Sequence, residues 1–174
     1  MLTKANQTHQ RQAWSLVYLG LGSNVGDAKQ HLLDAINQLK QCQNIKEVTT
    51  SRLYISKPVD NTNQENFYNV AICLETDLTP HELLEHCKHI ERLHQRTHLY
   101  HWGPRSLDID ILCYEQITLN TPILSIPHAE IANRDFVIKP LLDLDPTLAL
   151  PLLGQISKLP SPTINIIKIE AFHY

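Results

Sequence analysis

Two helical patterns, each set between strand-like runs of apolar residues, constrain the fold of this 174-residue chain more than any other feature of its sequence. The first helix is predicted over residues 27–41, where apolar side chains recur at helical spacing. The second is predicted to begin at Thr79, which can form a capping box with Glu82, and to run to about His94. Strands are predicted around the helices at residues 15–21, 45–55, 67–76 and 107–114.

This order of elements, β-α-β-β-α-β, predicts an α+β fold of the ferredoxin-like split βαβ type, with an antiparallel sheet and helices on one face. Residues 115–116 are predicted to turn the last strand into a short partner strand. The Pro- and Leu-rich stretch after residue 146 is assigned to extra C-terminal elements of the same domain. We therefore predict a flexible tail over residues 1–14 and one domain over residues 15–174.

Charge and cysteine usage argue against several classes of function. The net charge is −3, whereas general nucleic-acid binding needs a basic face. The chain has no apolar run of about 18 residues and no signal-peptide pattern, so we expect a cytoplasmic monomer that acts on small molecules without a nucleic-acid or membrane partner. The cysteines form no CxxC pair, which favours reduced thiols over disulfides or a zinc ribbon: they are Cys42, Cys73, Cys87 and Cys113.

Asp108 and Asp110 lie inside the strand LDIDILCY, although aspartate is depleted from strands. Residues two apart in a strand point to the same side, at roughly 6.5 to 7 Å along the chain. The two carboxylates are therefore predicted to share one face of the sheet. For such a pair without further context, exposure to solvent on an open sheet is the commoner explanation.

The loop before this strand changes that interpretation, because it carries Arg96 and Arg105. Arginine binds phosphate oxygens through two parallel hydrogen bonds, and paired carboxylates suit Mg²⁺. A metal–phosphate ligand between these groups is the hypothesis that the combination favours.

Two other motifs are candidate ligand sites. GLGSNVGD fails the GxGxxG pattern because Val25 occupies its sixth position, so its glycines are interpreted as a tight strand-to-helix turn, with a close approach of backbone to ligand as the alternative. Five histidines between residues 86 and 101 suggest zinc, but their spacing does not close a site. A solvated helix face is favoured instead, with His98 and His101 as donors to phosphate.

The segments GSNVGD, FYNVAICLET, WGPRSLDIDI and IPHAEIANRDFV together resemble the 6-hydroxymethyl-7,8-dihydropterin pyrophosphokinase family of folate biosynthesis, over roughly residues 16 to 146. The resemblance implies a ferredoxin-like fold and transfer of pyrophosphate from ATP to the pterin hydroxymethyl group, with release of AMP. It also implies two Mg²⁺ ions held by Asp108 and Asp110, with these aspartates, Arg96 and Arg105 as catalytic residues.

The resemblance further implies two sets of binding residues. The ATP site would comprise Glu91, Arg96, His98, Trp102, Arg105, Ile111, His128 and Arg134. The pterin site would comprise Ser56, Pro58, Val59, Phe67, Asn69, Trp102 and Phe136. For Phe67 the alternative is ordinary core packing, and for Trp102, which the resemblance assigns to a closing loop, it is a core anchor.

The chain departs from the family pattern at four positions. His98 and His101 stand where arginines are frequent, Ala129 where an aromatic residue is frequent, and Lys57 where a proline is common. The histidines predict weaker and more pH-dependent ATP binding. The changes at His98, His101 and Ala129 keep one alternative open, a catalytically silent nucleotide- or pterin-binding paralogue. A second alternative keeps the metals but is a phosphohydrolase that uses water as the acceptor.

Overall fold

The computed structural model describes residues 13–59, 63–94, 104–160, 162 and 164–173. Its longer elements are β1 (Ser15–Ser23), α1 (Ala28–Gln41), β2 (Ile45–Thr50), β3 (Leu53–Ser56), β4 (Phe67–Thr76), α2 (Pro80–Leu93) and β5 (Asp108–Tyr114). The chain continues through β6 (Leu119–Asn120), β7 (Ser125–Ile126), α3 (Asp135–Leu144), β8 (Ala149–Leu150), β9 (Gly154–Gln155) and β10 (Ile166–Glu170).

The starts of the two predicted helices follow from local side-chain chemistry. The Asp27 carboxylate accepts a hydrogen bond from the Gln30 N–H and caps α1. At α2 the predicted capping box is confirmed: the Thr79 hydroxyl accepts from the Glu82 N–H, and the Glu82 carboxylate accepts from the Thr79 N–H at 2.8 Å. The predicted core stripe of α1 is buried: Leu32, Ala35, Ile36 and Leu39.

The main sheet has the order β10-β3-β4-β1-β5, with β2 also paired to β4, and these pairings are antiparallel. The predicted α+β class is confirmed. The single strand expected over residues 45–55 is wrong, because the chain breaks at Ser51 into β2 and β3. The Ser51 N–H donates to the Ala71 carbonyl, and its hydroxyl accepts from the Ala71 N–H, both at 2.9 Å. One residue thereby joins both segments to β4.

The two predicted helices lie on one face of the sheet, as expected, and a third helix that was not predicted, α3, covers the other face. α1 and α2 pack over a core that includes Val17, Leu19 and Ile109. α3 packs against the opposite face, where the core includes Tyr18 and Leu112. Because the central strands carry apolar side chains on both sides, both faces must be removed from water.

The end of the chain differs from the predictions in two ways. The turn after β5 occurs at Glu115, which has φ 46°, but the next short strand, β6, pairs with β7 and not with β5. The stretch after residue 146, assigned only to extra elements, supplies β10, which extends the sheet beside β3. Its sequence IIKIE is rich in β-branched residues and is typical of a strand.

Two further properties concern the chain as a whole. In the part of the chain that the structure describes, no helix combines the length and the apolar character needed to cross a membrane. All four cysteines are free: Cys87 and Cys113 are buried, and Cys42 and Cys73 are half-buried.

Candidate active site

A cleft lies between α3 and the sheet, on the face opposite α1 and α2. Its floor is formed by β1 and the strands on either side of it. Gly20 and Gly22 of β1 pair with Asp110 and Asp108 of β5. The cleft is lined by Gly20, Leu21, Gly22, Ser56, Lys57, Pro58, Val59, Phe67, Asn69, Val70, Ala71, Arg105, Asp108, Asp110, Leu112, His128, Arg134, Phe136, Val137 and Pro140.

The two aspartates open into one end of this cleft, as the strand alternation predicts. Asp108 is buried and Asp110 is half-buried, whereas Ile109, between them, is buried in the core under α1 and α2. Burial raises the pKa of the Asp110 carboxyl, and the neighbouring Asp108 carboxylate raises it further. A pair of hard oxygen donors whose charges repel each other is a site that gains stability when a cation binds.

Cationic groups surround the aspartates. Arg105 forms an ion pair with Asp108. Arg134 forms a longer ion pair with Glu130, with 3.8 Å between the Nε of Arg134 and the Oε2 of Glu130. Burial lowers the pKa of the Arg134 guanidinium, while the carboxylates near it oppose that shift. Nδ1 of His128 accepts a hydrogen bond from the Glu130 N–H at 3.2 Å, which leaves the other ring nitrogen as a donor. This end of the cleft therefore combines carboxylates with donors suited to phosphate oxygens.

The backbone of Arg105 is held by Asn24, a residue that sequence reasoning missed. The Arg105 N–H donates to the Asn24 Oδ1 at 2.8 Å, and the Asn24 N–H donates to the Arg105 carbonyl at 3.0 Å. The Asn24 side chain also donates to the Glu65 carbonyl at 3.2 Å. Asn24 thus joins the segment before β5 to the segment before β4, an arrangement that local sequence patterns do not encode.

The side of the cleft formed by β3 and β4 presents a buried amide, and aromatic side chains line the same cleft. Asn69 is 7% exposed, and its Nδ2 donates to the Ser56 hydroxyl at 3.0 Å and to the Tyr54 carbonyl at 3.2 Å. Phe67 and Phe136 line the same space. A planar heterocycle can stack against such rings while its polar edge meets the amide.

The other predicted site residues are distributed unevenly. Ser56, Pro58 and Val59 line the cleft. Ile111 is 2% exposed, and its side chain is part of the core under α1 and α2. The side chain therefore lies on the face of the sheet opposite the cleft and does not support the predicted contact with ATP. The remaining candidates lie outside the described residues: Arg96, His98, His101 and Trp102.

Glu91 has a contact different from the one expected. It is 3% exposed, and its carboxylate accepts from the Ile109 N–H at 2.8 Å and pairs with Lys88 at 2.9 Å. These contacts tie α2 to the strand that carries the aspartates, and the predicted role of Glu91 at ATP stays a prediction.

The interpretation of the glycines is corrected in part. Gly20 and Gly22 lie within β1, on the floor of the cleft, whereas Gly26, with φ 65°, lies in the turn before α1. The two-residue spacing of Gly20 and Gly22 inside an apolar run is the feature of the sequence that indicates two glycines on one face of a strand. The close approach of backbone to ligand, considered as the alternative, is the arrangement that the cleft floor allows.

Comparisons with known proteins agree with this geometry. Residues 18–146 match the family model of 7,8-dihydro-6-hydroxymethylpterin-pyrophosphokinase. The 2-amino-4-hydroxy-6-hydroxymethyldihydropteridine pyrophosphokinase of Aquifex aeolicus is 41% identical over 136 residues, which are 78% of this chain and 84% of the relative. The enzyme of that name from Methylorubrum extorquens is 41% identical over 133 residues, or 76% of this chain and 84% of the relative.

A solved structure shares the fold at lower identity. The Plasmodium falciparum HPPK-DHPS crystal structure gives a TM-score of 0.67 at 18% identity, over 87% of this chain and 46% of that one. At this identity the likeness bears on the fold alone, while the family follows from the sequence relatives. The chain belongs to the 7,8-dihydro-6-hydroxymethylpterin-pyrophosphokinase family.

Proposed function

We propose that this protein transfers pyrophosphate from ATP to 6-hydroxymethyl-7,8-dihydropterin in folate biosynthesis. The hydroxymethyl oxygen attacks the β-phosphorus and loses its proton, the bond between that phosphorus and the bridging oxygen to the α-phosphate breaks, and AMP leaves. The observation that carries the proposal is one cleft lined both by the carboxylates of Asp108 and Asp110 and by the Asn69 amide with two phenylalanine rings, Phe67 and Phe136.

We propose that Asp108 and Asp110 hold Mg²⁺, two ions by the family resemblance. The donor set fits, because both groups are carboxylates on one face of β5 and the pKa of Asp110 is raised by burial and by the charge of Asp108. When bound, Mg²⁺ binds phosphate oxygens and lowers the pKa of a coordinated hydroxyl. No further acidic residue is needed as a ligand, since Mg²⁺ retains water and phosphate oxygens in its shell.

The side chains of the described residues would then perform distinct tasks. Arg105 and Arg134 would bind phosphate oxygens and stabilise the charge that develops during transfer, and His128 would donate one further hydrogen bond. Asn69 and the rings of Phe67 and Phe136 would orient the pterin so that its hydroxymethyl group points toward the aspartates. Arg96, His98 and Trp102 keep their predicted roles at the two substrates from the family resemblance.

Domain organisation, cellular compartment and oligomeric state belong to the same proposal. We propose that residues 15–174 form one domain, which the shared sheet of β1 and β10 supports. The four free cysteines support a reducing compartment such as the cytoplasm. A monomeric state is testable by the mass measured in solution with light scattering.

The deciding experiment measures AMP formation from ATP and Mg²⁺ with and without 6-hydroxymethyl-7,8-dihydropterin. We expect AMP only when the pterin is present, and little or none with the Asp110→Asn variant, whose side chain has nearly the same shape. Phosphate or pyrophosphate release without pterin would instead indicate a phosphohydrolase. Tight binding of both ligands without AMP would indicate the silent paralogue.

A further inference from the structure

The Asp135 carboxylate makes a contact that the reaction does not require. Asp135 begins α3 and is 4% exposed. Its Oδ2 accepts hydrogen bonds from the backbone N–H groups of Asn165 at 2.9 Å and Ile166 at 3.0 Å. Its Oδ1 accepts from the N–H of the adjacent Phe136 at 2.8 Å. A buried carboxylate that meets three N–H donors forms strong, charge-assisted hydrogen bonds. Two of these donors belong to Asn165 and Ile166, so Asp135 fixes that segment.

That segment leads directly to one wall of the cleft. The Asn165 carbonyl accepts from the N–H of Lys57 at 2.9 Å, and Ile166 pairs with Ser56 at the start of the β10–β3 ladder. Asn165 is thus bonded through its N–H to Asp135 and through its carbonyl to Lys57. Lys57, Pro58 and Val59 line the pterin end of the cleft, and so does Phe136, the neighbour of Asp135.

We propose that Asp135 is a positioning residue that sets the separation between the two walls of the pterin end. One wall is Phe136 at the start of α3, and the other is the segment Lys57–Val59. The link between them runs through Asn165, which lies beyond the family match that ends at residue 146. The C-terminal segment therefore contributes to recognition of a flat, bicyclic heterocycle. This inference rests on the proposed function, because the ligand between the walls is taken to be the pterin.

The far end of β10 is held by separate contacts. The Glu170 carboxylate pairs with Lys29 of α1 at 2.6 Å, and Phe172 packs against the core. The strand ladder between β10 and β3 adds backbone hydrogen bonds. Loss of the Asp135 contact alone should therefore leave the C-terminal segment attached and change only the wall next to Lys57. Glu170 offers a matched control, since it is a carboxylate at the other end of β10 from Asn165.

The test compares Asp135→Asn with Glu170→Gln, each in the full chain. In Asp135→Asn one carboxylate oxygen becomes an NH₂ group that faces backbone N–H donors. We expect the Kd for a non-reactive pterin to rise about tenfold, with the Kd for ATP changed less than about twofold. Glu170→Gln should leave both values within about twofold of the wild type, even if it unfolds more easily.

A second variant changes the donor in the hydrogen bond between Asn165 and Asp135. Asn165→Pro removes one of the two N–H groups of this segment that donate to Asp135, leaves the N–H of Ile166, and retains the carbonyl that accepts from Lys57. It should raise the pterin Kd in the same direction, and it serves as the test if Asp135→Asn does not fold. In the double variant the effects should add only in part, because both changes weaken the contact between the Asp135 carboxylate and the backbone of Asn165 and Ile166.

Two results would overturn the inference. One is a pterin Kd in Asp135→Asn within about twofold of the wild type. The other is an equal loss of ATP and pterin binding, which would indicate a general structural role. Failure of the proposed function is distinguishable from both, because the wild-type protein itself would then form no AMP from ATP in the presence of the pterin.

Discussion

Glu91 of α2 accepts a hydrogen bond at 2.8 Å from the backbone N–H of Ile109, the residue between the two aspartates of the cleft. β5 is an edge strand of the main sheet, and β1 is the neighbour with which it pairs. The buried carboxylate of Glu91 satisfies a backbone donor of this strand, which would otherwise be costly to bury. One helix thereby fixes the strand on which the candidate metal ligands lie.

We expect Glu91→Ala to lower the free energy of unfolding by about 2 kcal/mol, because the Ile109 N–H loses its acceptor. Glu91→Gln retains an oxygen that can accept the bond, so it should lose less than about half as much. Urea unfolding of both variants measures the difference. Equal losses in the two variants would mean that the negative charge, and not the acceptor, stabilises this region.

Gly22 supplies a second prediction, because β1 places it between Asp108 and Asn69. A Cβ atom at Gly22 would lie 3.4 Å from the Asn69 Oδ1, which is ordinary contact. Gly22→Ala should therefore keep the free energy of unfolding within about 1 kcal/mol of the wild type, while its methyl group occupies the cleft floor. We expect the pterin KM to rise about tenfold in steady-state assays.

Gly20→Ala is the comparison for this prediction. Its Cβ would lie 3.3 Å from both terminal methyl carbons of Leu112, so that the side chain must move. We expect this variant to lose stability as well as activity. An unchanged pterin KM in Gly22→Ala would show that the ligand does not approach β1 at Gly22.

Asp110 combines a proposed functional role with an unfavourable charge. The pKa of its carboxyl is raised by burial and by Asp108, so the charged form is disfavoured in the fold. Asp110→Asn should reduce pyrophosphate transfer by about 100-fold or more. The same variant should be more stable than the wild type without Mg²⁺ and should gain less stability when Mg²⁺ is added. Thermal unfolding with and without the ion tests this, and an equal Mg²⁺ effect in both proteins would contradict the metal assignment.

The features that sequence could predict are those encoded locally. The capping box of Thr79 and Glu82 needs residues three apart in a helix start, and it is present. The shared face of Asp108 and Asp110 follows from the period of a strand, and both line the cleft. Such patterns depend on backbone geometry that each segment carries by itself.

What escaped prediction depends on contacts between distant segments. The place of Gly22 on the cleft floor arises from the register of three strands. The bond from Asn165 to Asp135 joins residues 30 positions apart. Helix α3 carries Pro140 in its interior, where proline normally argues against a helix. There the packing of Ile138 and Leu141 against the second face of the sheet outweighs the local preference.

A pair of histidines lies between α1 and the end of α2. The Nδ1 atoms of His31 and His94 lie 2.9 Å apart. The Nε2 of the Gln38 side chain lies 3.4 Å from the Nε2 of His94. Two neutral rings can share one proton across the short contact, whereas a second proton would place two donors against each other. Burial lowers the pKa of His94, repulsion from His31 lowers it further, and Asp34 opposes the shift in part.

The direction of the pH dependence follows from that lowered pKa. At a pH below about 6.5 the unfolded chain binds a proton at this histidine more readily than the folded protein does. The free energy of unfolding should therefore be highest above that pH, and protonation of His94 should lower it as the pH falls further. His94→Gln removes the titrating ring, so its free energy of unfolding should change less between pH 8 and pH 5.5, about the range in which histidines titrate. His89→Gln, at an exposed position of the same helix, is the control and should keep the wild-type slope. An unchanged slope in His94→Gln would assign the acid sensitivity to other groups.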